Sequence, residues 1–365
     1  MQKAKKEPQS SETRVLSPEL IAPLLTWFRS VRRPLPWRET KDPYRVWLSE
    51  IMLQQTRIEA VIPYYHRFLS EAPNVSALAE LSDERLMKLW EGLGYYSRAR
   101  NLKKAALIIM ESHGGSLPKD FSALRALPGI GDYTAGAIAS IAFGLPEPAV
   151  DGNVLRVIMR LSGREDDIAL DATKKAVTAW LREIYPEGDD AGDLTEGLME
   201  LGEKVCLPAG APKCSECPLA SQCAARQEEL WRDLPKKSPK KERKIEEYTV
   251  LLLCSENGVA LRKRPSKGLL AGMWEFPMLK GHLSESEILT KLSMFGIEAS
   301  SIQSCGKASH IFTHITWNMI GMKLEIPSAQ LPDDFGEFYL PERLRNEIAI
   351  PTAYRYFVGK ILNNE

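Results

Sequence analysis

The amino-acid sequence predicts a protein of two domains, an all-α domain that carries a four-cysteine loop and, after it, a smaller α+β domain. Its 365 residues exceed what one hydrophobic core usually organises. Apolar residues follow a helical period up to about residue 225, and β-rich runs replace them after residue 248. With 44% hydrophobic and 26% charged residues, the composition is typical of globular proteins.

Residues 14–225 are predicted to be almost wholly helical, after a polar N-terminal tail over residues 1–13. Prolines and glycines separate seven segments in which apolar residues recur at helical spacing. These segments are Leu20–Phe28, Val46–Phe68, Leu86–Leu93, Leu102–Ile109, Tyr133–Phe143, Val154–Leu161 and Ala176–Ile184.

No segment approaches the roughly 20 apolar residues that span a bilayer, so no membrane partner is expected. The tail Met1–Thr13 is polar and has no apolar core, which argues against a secretory signal. We therefore expect a cytoplasmic, bacterial protein. The 48 basic and 48 acidic residues cancel, but this balance does not exclude nucleic acid, because local patches of charge bind DNA.

A basic segment over residues 226–247 is predicted to link the two domains. Such a segment either contacts phosphates or is simply solvated, and the sequence leaves both interpretations open. Its cations are Lys236, Lys237, Lys240, Lys241, Arg243 and Lys244.

The second domain is predicted over residues 248–365. Strands are expected over Tyr248–Cys254 and Val259–Arg264, which turn residues separate. A helix is expected over Glu285–Phe295, and further strands around Ile311–Leu324.

Four clustered cysteines form the most specific pattern of the helical part. Cys206, Cys214, Cys217 and Cys223 form C-x7-C-x2-C-x5-C, and in a chain without an export signal this favours a metal over disulfides. The spacing suits a [4Fe–4S] cluster held by one loop over residues 206–223. Zinc is the alternative, although two separated C-x2-C pairs are missing. The remaining Cys254 and Cys305 are expected to be ordinary core thiols.

The segment Leu127–Ala135, with the sequence LPGIGDYTA, lies between two helical patterns. Gly129 and Gly131 allow a tight turn whose N–H groups open the second helix, a geometry that binds a phosphate without reading bases. The alternative is a plain glycine-rich connection.

Two acids are candidates for catalysis, and each has an ordinary structural interpretation. Asp151 opens a helical run and could serve only as its N-cap. Glu50 lies one turn from Trp47 and beside Ile51, although an isolated helical Glu usually faces solvent. A carboxyl group among apolar side chains has a raised pKa and can stay protonated as a general acid.

The hairpin, an Asp about twenty residues beyond it and the cysteine loop together resemble the endonuclease III, or helix–hairpin–helix, superfamily of DNA glycosylases over roughly residues 20–225. Four strings resemble its MutY branch of adenine glycosylases. They are Leu35–Arg38, Glu50–Thr56, Trp90–Ser97 and Val150–Asn153. The first gap between the cysteines has seven residues, where the family usually has six.

This resemblance implies that Glu50 protonates adenine and Asp151 stabilises the sugar cation, while Tyr133 and Asn153 orient these acids. The adenine pocket would consist of Arg33, Trp37, Arg38, Leu53 and Glu196. The residues that enter the duplex near the oxidised base would be Gln55, Thr56 and Tyr95.

Residue 133 bears on the type of glycosylase. Bifunctional members of the superfamily carry a nucleophilic lysine at this hairpin position, and this chain has Tyr133. A monofunctional enzyme that leaves an intact strand is therefore expected. The nearest alternative is a bifunctional glycosylase/lyase acting on oxidised pyrimidines, and a non-catalytic iron–sulfur DNA-binding or redox-sensing protein is a more distant one.

Residues 248–365 resemble the Nudix-like C-terminal domain of the same family through Leu269–Pro277. The acidic helix of a hydrolytic Nudix site is missing, so we expect recognition in place of nucleotide hydrolysis. Phe312, Thr313 and His314 match the loop that inspects oxidised guanine, with Thr313 where serine is more common. The implied partner is double-stranded DNA with 8-oxoguanine:adenine or guanine:adenine mispairs, bound by a monomer on the bacterial nucleoid.

Overall fold

The computed structural model describes residues 16–239, 242–327 and 330–362. The chain divides into two compact units. The first comprises Met1–Tyr65, Ala72–Ala79 and Asn101–Pro239, and the second His66–Glu71, Glu80–Arg100 and Lys240–Glu365. The predicted tail over residues 1–13, and Lys240 and Lys241 of the predicted linker, lie outside the described residues.

The described chain is helical up to residue 227, as predicted. Twelve α-helices occur in this part: α1 Ile21–Val31, α2 Pro43–Leu53, α3 Ile58–Glu71, α4 Val75–Glu80, α5 Asp83–Trp90, α6 Ser97–Ser112, α7 Phe121–Ala126, α8 Asp132–Ala137, α9 Gly152–Ser162, α10 Asp171–Ile184, α11 Asp189–Lys204 and α12 Ala224–Gln227. The single helical run predicted over Val46–Phe68 is wrong. It is two helices, because the backbone turns between α2 and α3, where Gln55 has a left-handed φ of 59°.

The core of the first unit lies where α9 packs against α1, α10 and α11. Leu24 of α1, Ile158 of α9 and Leu201 of α11 are almost fully buried in it. The start of α9 lies very close to α11, since a Cβ at Gly202 would lie 2.6 Å from the Cβ of Asn153. Only glycine at position 202 permits this approach, which places the N-terminus of α9 beside the polar side chains of α11.

The predicted hairpin joins α7 to α8. Gly129 takes a φ of 80°, in the left-handed region that glycine tolerates. Gly131 is the N-cap residue of α8, and no side chain there accepts a hydrogen bond from the N–H groups of the helix. The α8 helix continues directly into one π-helical turn over Ile138–Ala142. Short π-helical segments are frequent at functional sites.

The start of the basic segment packs on the helical unit. The carbonyl oxygen of Lys236 accepts a hydrogen bond from the Ile168 N–H at 3.1 Å. The Asp167 carboxylate accepts hydrogen bonds from the backbone N–H and the hydroxyl of Ser238. Phosphate binding by this segment remains one of the two interpretations that the sequence leaves open.

A mixed seven-stranded sheet forms the centre of the second unit. Its strands are β1 Lys244–Ser255, β2 Gly258–Lys263, β3 Trp274–Glu275, β4 Met278–Lys280, β5 Ser301–Ile311, β6 Ile315–Glu325 and β7 Glu337–Tyr339. The order is β3-β2-β1-β6-β5, with β4 paired to β1 and β7 to β2. Only the β1–β6 pair is parallel among the described pairs.

Three α-helices of the described chain follow within the C-terminal part of the second unit, and its apolar cores contain residues of the sheet and of these helices. They are α13 Glu285–Ser293, α14 Pro341–Asn346 and α15 Arg355–Leu362. One core contains Trp317 and Phe357, with Cys254 and Cys305 packed against it as predicted. The other contains Ile288 of α13. No helix in the described ranges has the length and apolar character needed to cross a membrane.

Candidate active site

A polar cavity of about 440 Å³ lies in the first unit. Side chains from α2, α8, α11 and the N-terminus of α9 line its wall, together with residues that precede α2. Ten of the residues that the sequence analysis selected are among them: Arg33, Trp37, Arg38, Glu50, Leu53, Thr56, Tyr133, Asp151, Asn153 and Glu196. Gln55 lies in the turn beside Thr56 and is not part of this wall.

Glu50 is a buried acid on the inner face of α2, not a solvent-facing one. Its exposed fraction is 7%, and the Tyr133 hydroxyl donates a hydrogen bond to its Oε2 at 2.7 Å. Burial raises the pKa of Glu50 to about 7, while the hydrogen bond from Tyr133 lowers it. Of the nearby charges, Glu196 and Asp151 raise the pKa and Arg38 lowers it. This carboxyl group therefore holds a proton near neutral pH and can release it.

Asp151 serves both as an N-cap and as part of the cavity wall. Its Oδ1 accepts hydrogen bonds from the N–H groups of Asn153 and Val154, each at 2.8 Å. Its Oδ2 accepts a third from the Asn153 side-chain amide at 2.9 Å. Burial raises the pKa of Asp151, and these hydrogen bonds oppose that rise. The N-cap therefore fixes the direction of a carboxylate that also faces the cavity.

Tyr133 occupies the first turn of α8. Its hydroxyl lies 3.6 Å from the sulfur of Met199 besides its bond to Glu50. Burial raises its pKa well above the ordinary value, so the hydroxyl keeps its proton and acts as a donor. The described wall of the cavity contains no lysine.

Arg32, Arg33 and Arg38 form an ion-pair network with Glu196, Glu200 and Glu203 of α11 on one side of the cavity. Arg38 donates from Nε to Glu196 at 2.9 Å and from both terminal nitrogens to Glu200 at 3.2 Å. The Arg33 Nε lies 2.6 Å from Glu200. The sequence analysis did not select Glu200. Its position, one helical turn after Glu196, is the signal that could have identified it.

Comparisons with known proteins identify the family of the chain. A model of the HhH-GPD superfamily of base excision DNA repair proteins matches residues 48–187, and a NUDIX domain model matches residues 248–360. The adenine DNA glycosylase of Homo sapiens is 33% identical, and the match covers 91% of this chain and 72% of that protein. The adenine DNA glycosylase of Buchnera aphidicola subsp. Acyrthosiphon pisum (strain APS) is also 33% identical, over 93% of this chain and 96% of that protein. The chain belongs to the adenine DNA glycosylase family.

Among solved structures, this adenine DNA glycosylase family member resembles a thermostable thymine-DNA glycosylase. The TM-score is 0.53 at 29% identity, over 57% of this chain and 96% of that one. The two family models confirm the predicted architecture, a helix–hairpin–helix glycosylase domain followed by a Nudix-like domain.

In this glycosylase, polar contacts connect the acid at the start of α9 to the cysteine loop. Asn153, which donates to Asp151, accepts a hydrogen bond from Arg156 at 2.9 Å. The Nε of Arg156 donates to the carbonyl oxygen of Cys206 at 2.8 Å. The sequence analysis did not select Arg156, although it stands one helical turn after Asn153.

The four clustered cysteines of the glycosylase line one small cavity of about 30 Å³. Burial raises the pKa of Cys217 to about 11, and Cys206, Cys223 and Cys214 add to this rise, as expected of neighbouring thiols. Within residues 16–239, 242–327 and 330–362, no group of three or more Cys, His, Asp or Glu side chains is arranged as a site for a metal ion.

A second cavity of about 530 Å³ lies in the second unit. Tyr95, Phe312, Thr313 and His314 line it, and the hydroxyls of Tyr95 and Thr313 lie 3.1 Å apart in a hydrogen bond. Tyr95 has a left-handed φ of 47°, a costly conformation for a non-glycine residue that is concentrated at functional positions. The Arg98 guanidinium lies 5.6 Å from the Tyr95 ring and supports it.

Proposed function

We propose that this protein is a monofunctional adenine DNA glycosylase of base excision repair. It hydrolyses the N-glycosidic bond of adenine mispaired with 8-oxoguanine or guanine in double-stranded DNA, and the product is an abasic site. The observation that carries the proposal is the pair of acids, the buried Glu50 and the half-buried Asp151, on the wall of one cavity. The relatives are adenine DNA glycosylases, and from them we take adenine in DNA as the class of substrate.

Glu50 acts as the general acid. Adenine must leave the duplex to be reached and enters the cavity as a flipped base. It is a poor leaving group as an anion, and protonation at N7 makes it neutral. A pKa of about 7 keeps a useful fraction of Glu50 protonated while the proton remains easy to transfer. After bond cleavage, the carboxylate helps to activate water.

Asp151 stabilises the positive charge that develops on the sugar. Its carboxylate is held in place by three hydrogen bonds, so little reorganisation is needed when the oxocarbenium ion forms. The pair thus resembles the two carboxyl groups of glycoside hydrolases, one an acid and one a stabiliser or nucleophile. Tyr133 offers a hydroxyl where an imine-forming enzyme needs an amine, and the strand therefore stays intact.

The second cavity reads the base opposite adenine. Oxidation of guanine adds a hydrogen at N7, and the Thr313 hydroxyl can accept from it. Phe312 and His314 flank this hydroxyl, while Gln55, Thr56 and Tyr95 enter the duplex. The hairpin at Gly129 and Gly131 binds a phosphate of the backbone.

The cysteine loop holds a [4Fe–4S] cluster through Cys206, Cys214, Cys217 and Cys223. The sharing of one cavity by four thiols supports this assignment. The cluster, when bound, cross-links the loop and supplies a redox-active centre. Arg160 lies beside the site, with its guanidinium 3.4 Å from the Cys206 sulfur, and provides a counter-charge for thiolates. We propose a monomer that works on the nucleoid in the bacterial cytoplasm.

A duplex panel tests the proposal. The wild-type protein, in excess over DNA, should release adenine from 8-oxoguanine:A and G:A duplexes and leave T:A duplexes intact. The product strand should break only after added base or heat. Excision of an oxidised pyrimidine with spontaneous strand cleavage would favour the bifunctional alternative, and binding without any excision would favour a non-catalytic protein.

A further inference from the structure

Glu200 is a buried carboxylate of the active-site cavity to which the mechanism above assigns no task. It lies on α11 one turn after Glu196, its exposed fraction is 2%, and it lines the same cavity as Glu50. A buried carboxylate is retained only where cations and hydrogen bonds compensate its desolvation.

Glu200 binds two guanidinium groups at once. Its Oε1 lies 2.6 Å from the Arg33 Nε. Its Oε2 accepts from the Arg33 Nη2 at 2.9 Å and from both terminal nitrogens of Arg38 at 3.2 Å. The remaining Nε of Arg38 donates to Glu196, and the Arg38 guanidinium lies 5.5 Å from the Phe28 ring. Arg38 is thus held on every edge by two carboxylates, Glu196 and Glu200. These carboxylates also pair with Arg32 and Arg33, and Arg33 has a further partner in Glu203.

The position of Arg38 matters because it lines the same cavity as the general acid. Glu50 is surrounded by Tyr133 of α8, Asp151 at the start of α9, Glu196 of α11 and Arg38, which precedes α2. Arg38 is the one cation among these neighbours, and it favours the ionised form of Glu50. An Arg38 that turned toward Glu50, or that lost its compensating charge, would stabilise the Glu50 carboxylate and so favour loss of the Glu50 proton to solvent.

We propose that Glu200 is a positioning residue for adenine excision: it holds Arg38 and Arg33 against α11 as a charge-balanced pair, so that Glu50 stays protonated. The inference rests on the excision proposed above and adds a residue that does not touch the reacting atoms. Removing the charge of Glu200 leaves Arg38 with Glu196 alone and adds a net positive charge inside the cavity. Glu50 would then ionise at lower pH.

The test is the pH profile of single-turnover excision from 8-oxoguanine:A DNA. We expect Glu200→Gln to move the alkaline limb to lower pH by about one unit, so that its rate falls about tenfold below wild type at pH 8 but only about twofold at pH 6. Glu200→Asp, which keeps the negative charge, should have its alkaline limb close to the wild-type pH. Removing a positive charge as well, in Glu200→Gln/Arg33→Gln, should move the limb back toward the wild-type pH.

Asp190→Asn is the matched control. Asp190 is on the same helix and pairs with Arg29, but it is half-exposed and outside the cavity wall, so its loss should not move the limb. An unshifted limb in Glu200→Gln overturns the inference, as does a uniform loss of rate at all pH values. If Glu200→Gln does not fold, the inference is tested with Glu200→Asp and the double variant. A double variant whose alkaline limb lies at a lower pH than that of wild type contradicts the inference. A wild type that excises no adenine would instead refute the proposed function.

Discussion

The burial of Glu50 should make the general acid a source of instability, and Glu50→Gln should therefore stabilise the fold. Folding moves the pKa of Glu50 from an ordinary 4.5 to about 7, because burial disfavours the charged form. Since each pKa unit corresponds to about 1.36 kcal/mol, ionised Glu50 costs the folded state about 3 kcal/mol above pH 7. Because the folded-state pKa is raised, the contribution of Glu50 to stability is fully present below pH 4.5 and is lost as the pH rises through 7.

Glutamine keeps the shape of the side chain and an acceptor for the Tyr133 hydroxyl but has no charge. Thermal unfolding of wild type and Glu50→Gln at pH 5 and pH 8 measures the difference. We expect a gain of about 3 kcal/mol, or roughly 6–12 °C in Tm, at pH 8 and less than about 1 kcal/mol at pH 5. Glu165→Gln, which removes an exposed carboxylate, controls for net charge. Equal differences in Tm between wild type and Glu50→Gln at the two pH values would refute the assignment of Glu50 as a buried, protonated acid.

Three further predictions concern other parts of the protein. Tyr133→Lys should gain some strand cleavage, visible as a borohydride-trapped adduct, because an amine near C1′ can form an imine; strong trapping by the wild type would contradict a monofunctional enzyme. Thr313→Val should reduce the ratio of the excision rates on 8-oxoguanine:A and G:A duplexes several-fold, because it removes a hydrogen bond worth about 0.5–1.5 kcal/mol. Thr313→Ser, which keeps the hydroxyl, should leave this ratio nearly unchanged. An unchanged ratio in Thr313→Val would place the discrimination elsewhere. Purified protein should be yellow-brown with about four irons per chain; a colourless protein with one zinc would exclude the cluster.

Most of the helical architecture could be predicted from the sequence, because its signals are local, whereas Glu50 and Asp151 could be selected only through the family resemblance of their motifs. Helical periodicity located the helices, and the glycines of the hairpin identified the turn. The break between α2 and α3 could not be predicted in this way, because apolar residues continue across it. The turn depends on the left-handed conformation of Gln55, and no glycine at this position indicates it in the sequence.

The side-chain network of the site depended on contacts between distant segments. Glu200 and Arg156 occupy ordinary helical positions, and their importance comes from partners such as Arg38 and Cys206. The two interpretations of Asp151, N-cap and cavity acid, proved compatible, because one carboxylate serves both. The sequence motifs therefore indicated the candidate acids, whereas the fold was needed to find the residues that contact them.

The most direct test of the central claim is single-turnover excision of adenine from an 8-oxoguanine:A duplex by Glu50→Gln and Asp151→Asn, with duplex binding measured alongside. The account predicts that both variants bind the duplex within a few-fold of wild type. Their excision rates should fall by about 10²-fold or more, since one loses the proton donor and the other the charge that faces the sugar cation. Near-wild-type excision by either variant would show that these two carboxyl groups are not the catalytic pair.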